Sequence, residues 1–138
     1  MKHLTTLAML GASLVLAGCA SDKVKLEPNR TYVVEWIGER PLIDNSYLTI
    51  TLDADGRAFG TGGCNHWFAS YTMKDQQISF GQTGSTRMMC APALMEQEQR
   101  FLEALGKVQR WDLSTTEQLR LWPAEGKPIR MWPEVSGV

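Results

Sequence analysis

Past residue 30, apolar residues come in short runs, several with a period of two, separated by turn-forming residues. That rhythm restricts the chain to a small β-rich fold. The segment Tyr32-Val33-Val34-Glu35-Trp36-Ile37 is β-branched and aromatic, which favours a strand. Leu48, Ile50 and Leu52 alternate with Thr49, Thr51 and Asp53, the pattern of a half-buried strand. Asp53-Ala54-Asp55-Gly56 reads as a turn from which residues 57–60 return. Asp53 and Asp55 faintly echo a calcium loop, but the later glutamate such a loop needs is not at its position, so a hairpin is expected. Residues 68–73 and 77–80 form a second hairpin turning at Lys74-Asp75-Gln76. Residues 38–45, with Pro41, and 82–91, pinned by Cys90, read as loops. Pro92 suits the first turn of a helix over 93–105, with Gly106 as a left-handed stop. Strands at 108–113, 118–122 and 129–132 complete the chain. The expected fold class is α+β, mainly β: a curled antiparallel sheet or small barrel packed by one helix.

The 138 residues suit one globular domain. Fourteen basic and fifteen acidic residues leave a formal charge of −1 with no basic run, which gives no electrostatic reason to hold nucleic acid. Two histidines are too few for a His-rich metal site, and no metal or cofactor is expected.

Lys2 and His3 precede an apolar run over residues 4–16. It is shorter than the roughly 20 residues of a membrane-spanning helix and has the length of a signal-peptide core. It ends in Leu16-Ala17-Gly18-Cys19, which resembles a lipobox, where bacterial lipoproteins are acylated on cysteine and cut just before it. An ordinary secretory peptide with an incidental cysteine is the alternative. The small residues at 17 and 18, at the right distance from the charged end, favour the lipobox. The expected division is a signal peptide at 1–18, a lipidated polar tether at 19–29 and a folded domain at 30–138. Resemblance to bacterial lipoproteins implies several acyl chains on Cys19. Each buried methylene is worth about 0.8 kcal/mol, so two or more chains anchor stably. Ala20 stands where an aspartate would suggest inner-membrane retention, so the periplasmic face of the outer membrane is the expected location.

Export places Cys64 and Cys90 where disulfides persist. With Cys19 acylated they form an even set. A Cys64–Cys90 bridge closing about 26 residues is expected, worth roughly 3–4 kcal/mol in the chain-entropy model. The spacing is not C-x-x-C, which argues against a thioredoxin-like motif. Zinc needs more ligands than these two and His66 supply. A reactive thiol beside His66 is incompatible with the bridge. Gly60-Thr61-Gly62-Gly63 lacks the phosphate-loop pattern and is expected to make a bulge or tight bend.

Gly62-Gly63-Cys64-Asn65, then Ser70-Tyr71-Thr72, then Thr86-Arg87-Met88-Met89-Cys90, then the Glu- and Phe-bearing stretch 96–105 occur in a recognisable order. Together they resemble the META domain, the HslJ-like family of bacterial envelope proteins, over about residues 30–133. The resemblance implies a compact β-rich fold with one helix, and a link to heat shock and to novobiocin tolerance. It implies no established catalytic residues, so none is carried over.

Two constellations stand out. On a helical wheel Glu98 falls about 40° from Leu94, inside the sector of Leu94, Phe101, Leu102 and Leu105. A carboxylate facing a core is costly unless hydrogen-bonded or paired. Glu98 is therefore expected to accept bonds from backbone amides of residues 62–65, Asn65 included, or from a hydroxyl such as Thr86. A catalytic acid is the alternative, but no second acid, base or metal accompanies it. In the last hairpin, Leu119, Leu121, Ile129 and Met131 alternate with Arg120, Trp122, Arg130 and Trp132. With the aliphatic set inside, two arginines and two tryptophans share the outer face. They stabilise one another by cation–π stacking, form a binding surface for an envelope protein, or have their tryptophans buried by the tether.

The expected function is thus non-enzymatic: a lipid-anchored envelope domain that binds a partner. An inhibitor or chaperone-like module acting on a periplasmic protein is the second reading. A hydrolase using His66 with Ser70, Ser79 or Ser85 lacks any G-x-S-x-G context.

Overall fold

The computed structural model describes Gly18 and residues 24–136, so Cys19 and the signal-peptide segment lie outside the described residues. Eight strands form a closed antiparallel barrel: β1 (Thr31–Ile37), β3 (Thr49–Leu52), β4 (Arg57–Thr61), β5 (His66–Lys74), β6 (Gln77–Phe80), β8 (Val108–Leu113), β9 (Leu119–Pro123) and β10 (Ile129–Pro133). Two short strands lie off this circuit: β2 (Arg40–Pro41), paired with β1, and β7 (Gly84–Ser85), paired with β5. Both fall within the predicted loops. The β10–β1 pairing closes the ring, joining the two ends of the domain. Closure leaves the sheet without a long unpaired edge, the edge that invites aggregation.

Alternation explains the core. Leu48, Ile50, Leu52, Ala58, Trp67, Ala69, Ile78, Leu119, Leu121, Ile129 and Met131 are all buried inside the barrel cluster. Trp67 and Trp111 are also buried; their indole N–H groups donate to the carbonyls of Thr49 and Asp75, so neither leaves a polar atom orphaned. In two strands the alternation breaks. The apolar residues Val34 and Ile37 are three apart, as are Val108 and Trp111, and the register shifts between Val34 and Trp36 and between Val108 and Arg110. Each irregularity acts as a bulge, re-aiming the residues between. Trp36 and Arg110 thereby join the outer face of the barrel, while Ile37 and Trp111 stay buried.

The helix α1 (Pro92–Leu105) begins with Pro at its first turn. It buries Gln97, Glu98, Phe101 and Leu105, and Phe101 meets Trp67 edge-on at 5.6 Å. Gly106 has φ −64°, so the helix ends in right-handed geometry and not at the expected left-handed stop. The Gly106 N–H still reaches the Leu102 carbonyl, satisfying that end without a Schellman turn. Before β1, Leu26 packs on the core and the Asn29 N–H donates to Leu52 O, so the stretch from residue 24 lies against the barrel. No helix among the described residues is long and apolar enough to cross a membrane.

Candidate functional site

The helix meets the β4–β5 turn through one buried carboxylate. Glu98 is 6% exposed. Its Oε2 accepts hydrogen bonds from the backbone N–H of Cys64 (3.1 Å) and Asn65 (2.7 Å), and its Oε1 accepts one from Asn65 Nδ2 (2.7 Å). Three neutral donors converge on one buried anion, which offsets much of its desolvation without a cation. Gly62 makes room for it: a Cβ there would lie 2.6 Å from Oε2 and 2.8 Å from Cγ. Gly63 turns the chain at φ +101°, a conformation open to glycine.

Asn65 is the hub. Its Oδ1 accepts from the Met88 N–H (2.6 Å) and the Thr86 hydroxyl (3.0 Å). Thr86 Oγ1 in turn accepts from the His66 N–H, and the Thr86 N–H donates to His66 O. Cys64 and Cys90 form a disulfide with Cα atoms 5.9 Å apart. The glycine turn, the 86–90 loop and the helix are thus tied by one polar network and one covalent bond. Thr86 touches Asn65 rather than Glu98, so the hydroxyl acts one step from where it was sought. Sequence reasoning missed Gln97, which is fully buried; its Oε1 accepts from the Ile43 N–H (2.8 Å) and its Nε2 donates to Ser46 Oγ (3.0 Å). Gln97 borders the apolar stripe, and a polar residue there was the available signal.

Asp53 is a second buried acid, in the β3–β4 turn. Its carboxylate accepts from the Asp55 and Arg57 N–H groups and from Arg57 Nε. The Arg57 amide above all, with the Asp55 amide and the Arg57 guanidinium, holds its pKa below the ordinary 3.8 against the opposing effect of burial. These are turn-forming contacts.

The outer face of β8, β9, β10 and β1 carries the aromatic and cationic residues. Arg120 and Trp122 are half-buried, as is Arg130, whereas Trp132 is 38% exposed. Arg110 and Arg120 approach the Trp122 ring at 4.6 and 5.7 Å, and Arg130 lies 4.5 Å over Trp36. Arg120 Nε donates to Asp112 Oδ1 at 2.6 Å, and Trp132 Nε1 donates to Glu35 at 2.7 Å. The hairpin residues therefore do share a face; Arg120 stacks on Trp122 within it, and the two neighbouring strands add Arg110 and Trp36. Arg110 and Trp36 were missed because each sits at a break in alternation.

Among the described residues no cluster of three or more His, Cys, Asp or Glu is arranged to hold a metal ion. Ser79 bonds to Thr72 on the barrel exterior, and His66 engages Thr86 through its backbone.

A protein from Burkholderia xenovorans solved by NMR is 25% identical, with a TM-score of 0.65; the match covers 88% of this chain and 99% of that one. A second NMR structure, 24% identical with a TM-score of 0.59, covers 75% and 88% respectively and has the same fold. No curated protein matches. The family model of the META domain matches residues 24–136, nearly the whole described chain, and the chain belongs to the META domain family.

Proposed function

We propose that this is a lipid-anchored, non-catalytic domain of the cell envelope that uses the Arg/Trp face of β8, β9, β10 and β1 to bind an envelope component. Family membership supports a non-catalytic, envelope-type domain. The lipobox-like Leu16-Ala17-Gly18-Cys19 and Ala20 support an outer-membrane anchor facing the periplasm. The observation that carries the binding role is the fixed geometry of the face. Three arginines are stacked on two indoles there, and Trp132 is held by Glu35. Side chains ordered before binding lose little entropy on contact, and Trp and Arg dominate interface hot spots. The motif residues Gly62, Asn65, Thr86 and Glu98 supply rigidity instead, since their polar atoms engage one another. A role in stress response, including novobiocin tolerance, would then follow from what the face holds at the membrane.

The test has two parts in cells. Mass spectrometry of the native protein should find Cys19 acylated at a new N-terminus. Crosslinking with and without heat stress should capture a neighbour that is lost with Arg120→Ala/Trp122→Ala while the fold survives. An unmodified leader, or capture indifferent to both substitutions, contradicts the reading.

A further inference from the structure

Within the Arg/Trp face lies a groove of about 470 Å³ whose lining includes Trp36, Glu39, Arg120, Trp122, Lys127 and Arg130. Arg120 and Arg130 are direct cross-strand partners in the β9–β10 pairing. Like charges placed directly opposite repel, which is a cost a barrel keeps only with compensation. Asp112 compensates Arg120 at 2.6 Å. Arg130 has the face of Trp36 instead, a quadrupole rather than a charge. The lining itself carries three cations, Arg120, Lys127 and Arg130, against one carboxylate, Glu39; outside it, Arg110 lies over Trp122 and Asp112 pairs with Arg120. Two uncompensated positive charges are concentrated there in a chain whose formal total is −1. The Arg120 side chain is 32% exposed, so its charge is only partly screened by water. Trp122, which lines the groove, has its Nε1–H buried with no hydrogen-bond partner among the described residues.

We infer that this groove is an oxyanion site for a phosphate monoester group. A phosphate monoester carries about −1.5 to −2 charge at neutral pH and three strong acceptor oxygens, which matches the surplus better than a singly charged carboxylate does. Guanidinium forks bind phosphate in bidentate fashion, and stacking on the indoles pre-orients both arginines for it. The site rests on the binding role of the Arg/Trp face and names the chemistry of its occupant.

The full-length protein in detergent is titrated with inorganic phosphate while the Nε–H resonances of Trp122, Arg120 and Arg130 are followed by NMR. The expected result is a saturable shift at all three. It weakens about tenfold or more in Arg130→Gln and in Arg130→Lys, which keeps charge but loses the fork, and clearly in Lys127→Gln on the exposed rim. Lys74→Gln, on the β5–β6 hairpin, leaves the shift unchanged. A second arm adds phosphatidylcholine vesicles with and without phosphatidic acid. Binding that requires phosphatidic acid assigns a lipid headgroup as the source, and response to free phosphate alone assigns a soluble phosphate compound. Linear shifts without saturation, equal response to acetate, or indifference to Arg130→Lys and Lys127→Gln overturn the inference. Crosslinked capture that depends on Arg120 and Trp122 without any phosphate response leaves the binding face standing and removes only its assigned ligand.

Discussion

Asn65 Nδ2 donates to Glu98 Oε1 at 2.7 Å while the Asn65 backbone N–H donates to Oε2 at the same distance, so one residue grips both oxygens of a buried carboxylate. This double contact joins the only helix among the described residues to the turn between β4 and β5. Through Asn65 Oδ1 it reaches the loop that carries Cys90. Gly62, Asn65, Thr86 and Glu98 thus all meet at this junction.

Gly62→Ala should destabilise the domain by about 1–3 kcal/mol, because the added Cβ overpacks a site with no slack. The methyl would sit inside contact distance of Glu98 Oε2, Cγ and Cδ. Urea unfolding checks this. Wild-type stability in the variant would show that the helix can withdraw freely.

Reducing the disulfide should lower stability by roughly 3–4 kcal/mol, given a sequence separation of 26 residues. Comparing thermal unfolding with and without reductant, and in Cys64→Ser/Cys90→Ser, reads the effect. An unchanged transition would mean that the polar network alone holds the 86–90 loop.

Asp53 makes stability depend on acid. Its folded pKa lies below the ordinary 3.8, so the unfolded chain takes up the proton first. The stabilisation is complete above the unfolded value and is lost as pH falls through the folded one. Between about pH 5 and pH 2, wild-type stability should fall more steeply than that of Asp53→Asn. Parallel curves would assign acid sensitivity to other carboxylates.

Arg110→Ala should cost about 0.5–1 kcal/mol through the lost stack on Trp122, although Arg110 is exposed and pairs with no carboxylate among the described residues. A urea midpoint equal to wild type would mean that the stack contributes no net stability.

Much of the barrel is legible in the sequence because the alternation of Leu48, Ile50 and Leu52, and of Leu119, Leu121, Ile129 and Met131, follows the pleat directly. The position of Glu98 on the apolar stripe likewise identifies a buried acid that needs donors. Closure of the barrel is not legible, since β10 pairing with β1 joins residues nearly a whole chain apart without a local signature. Nor is the full extent of the Arg/Trp face, because two bulges turn Trp36 and Arg110 outward against the simple period of two. Spacings of three between Val34 and Ile37 and between Val108 and Trp111 are the trace those bulges leave. Asn65 as a hub depends on three segments meeting, which spacing within any one of them does not reveal.

That Glu98 serves the fold and not a reaction is tested most directly by a double-mutant cycle on Glu98→Gln and Asn65→Ala, read by urea denaturation. Glu98→Gln should cost about 1.5–3 kcal/mol, since an amide replaces an acceptor facing three donors. The two changes should couple by about 0.5–3 kcal/mol because they share one network. Full stability in Glu98→Gln, or losses that simply add, would contradict a structural Glu98.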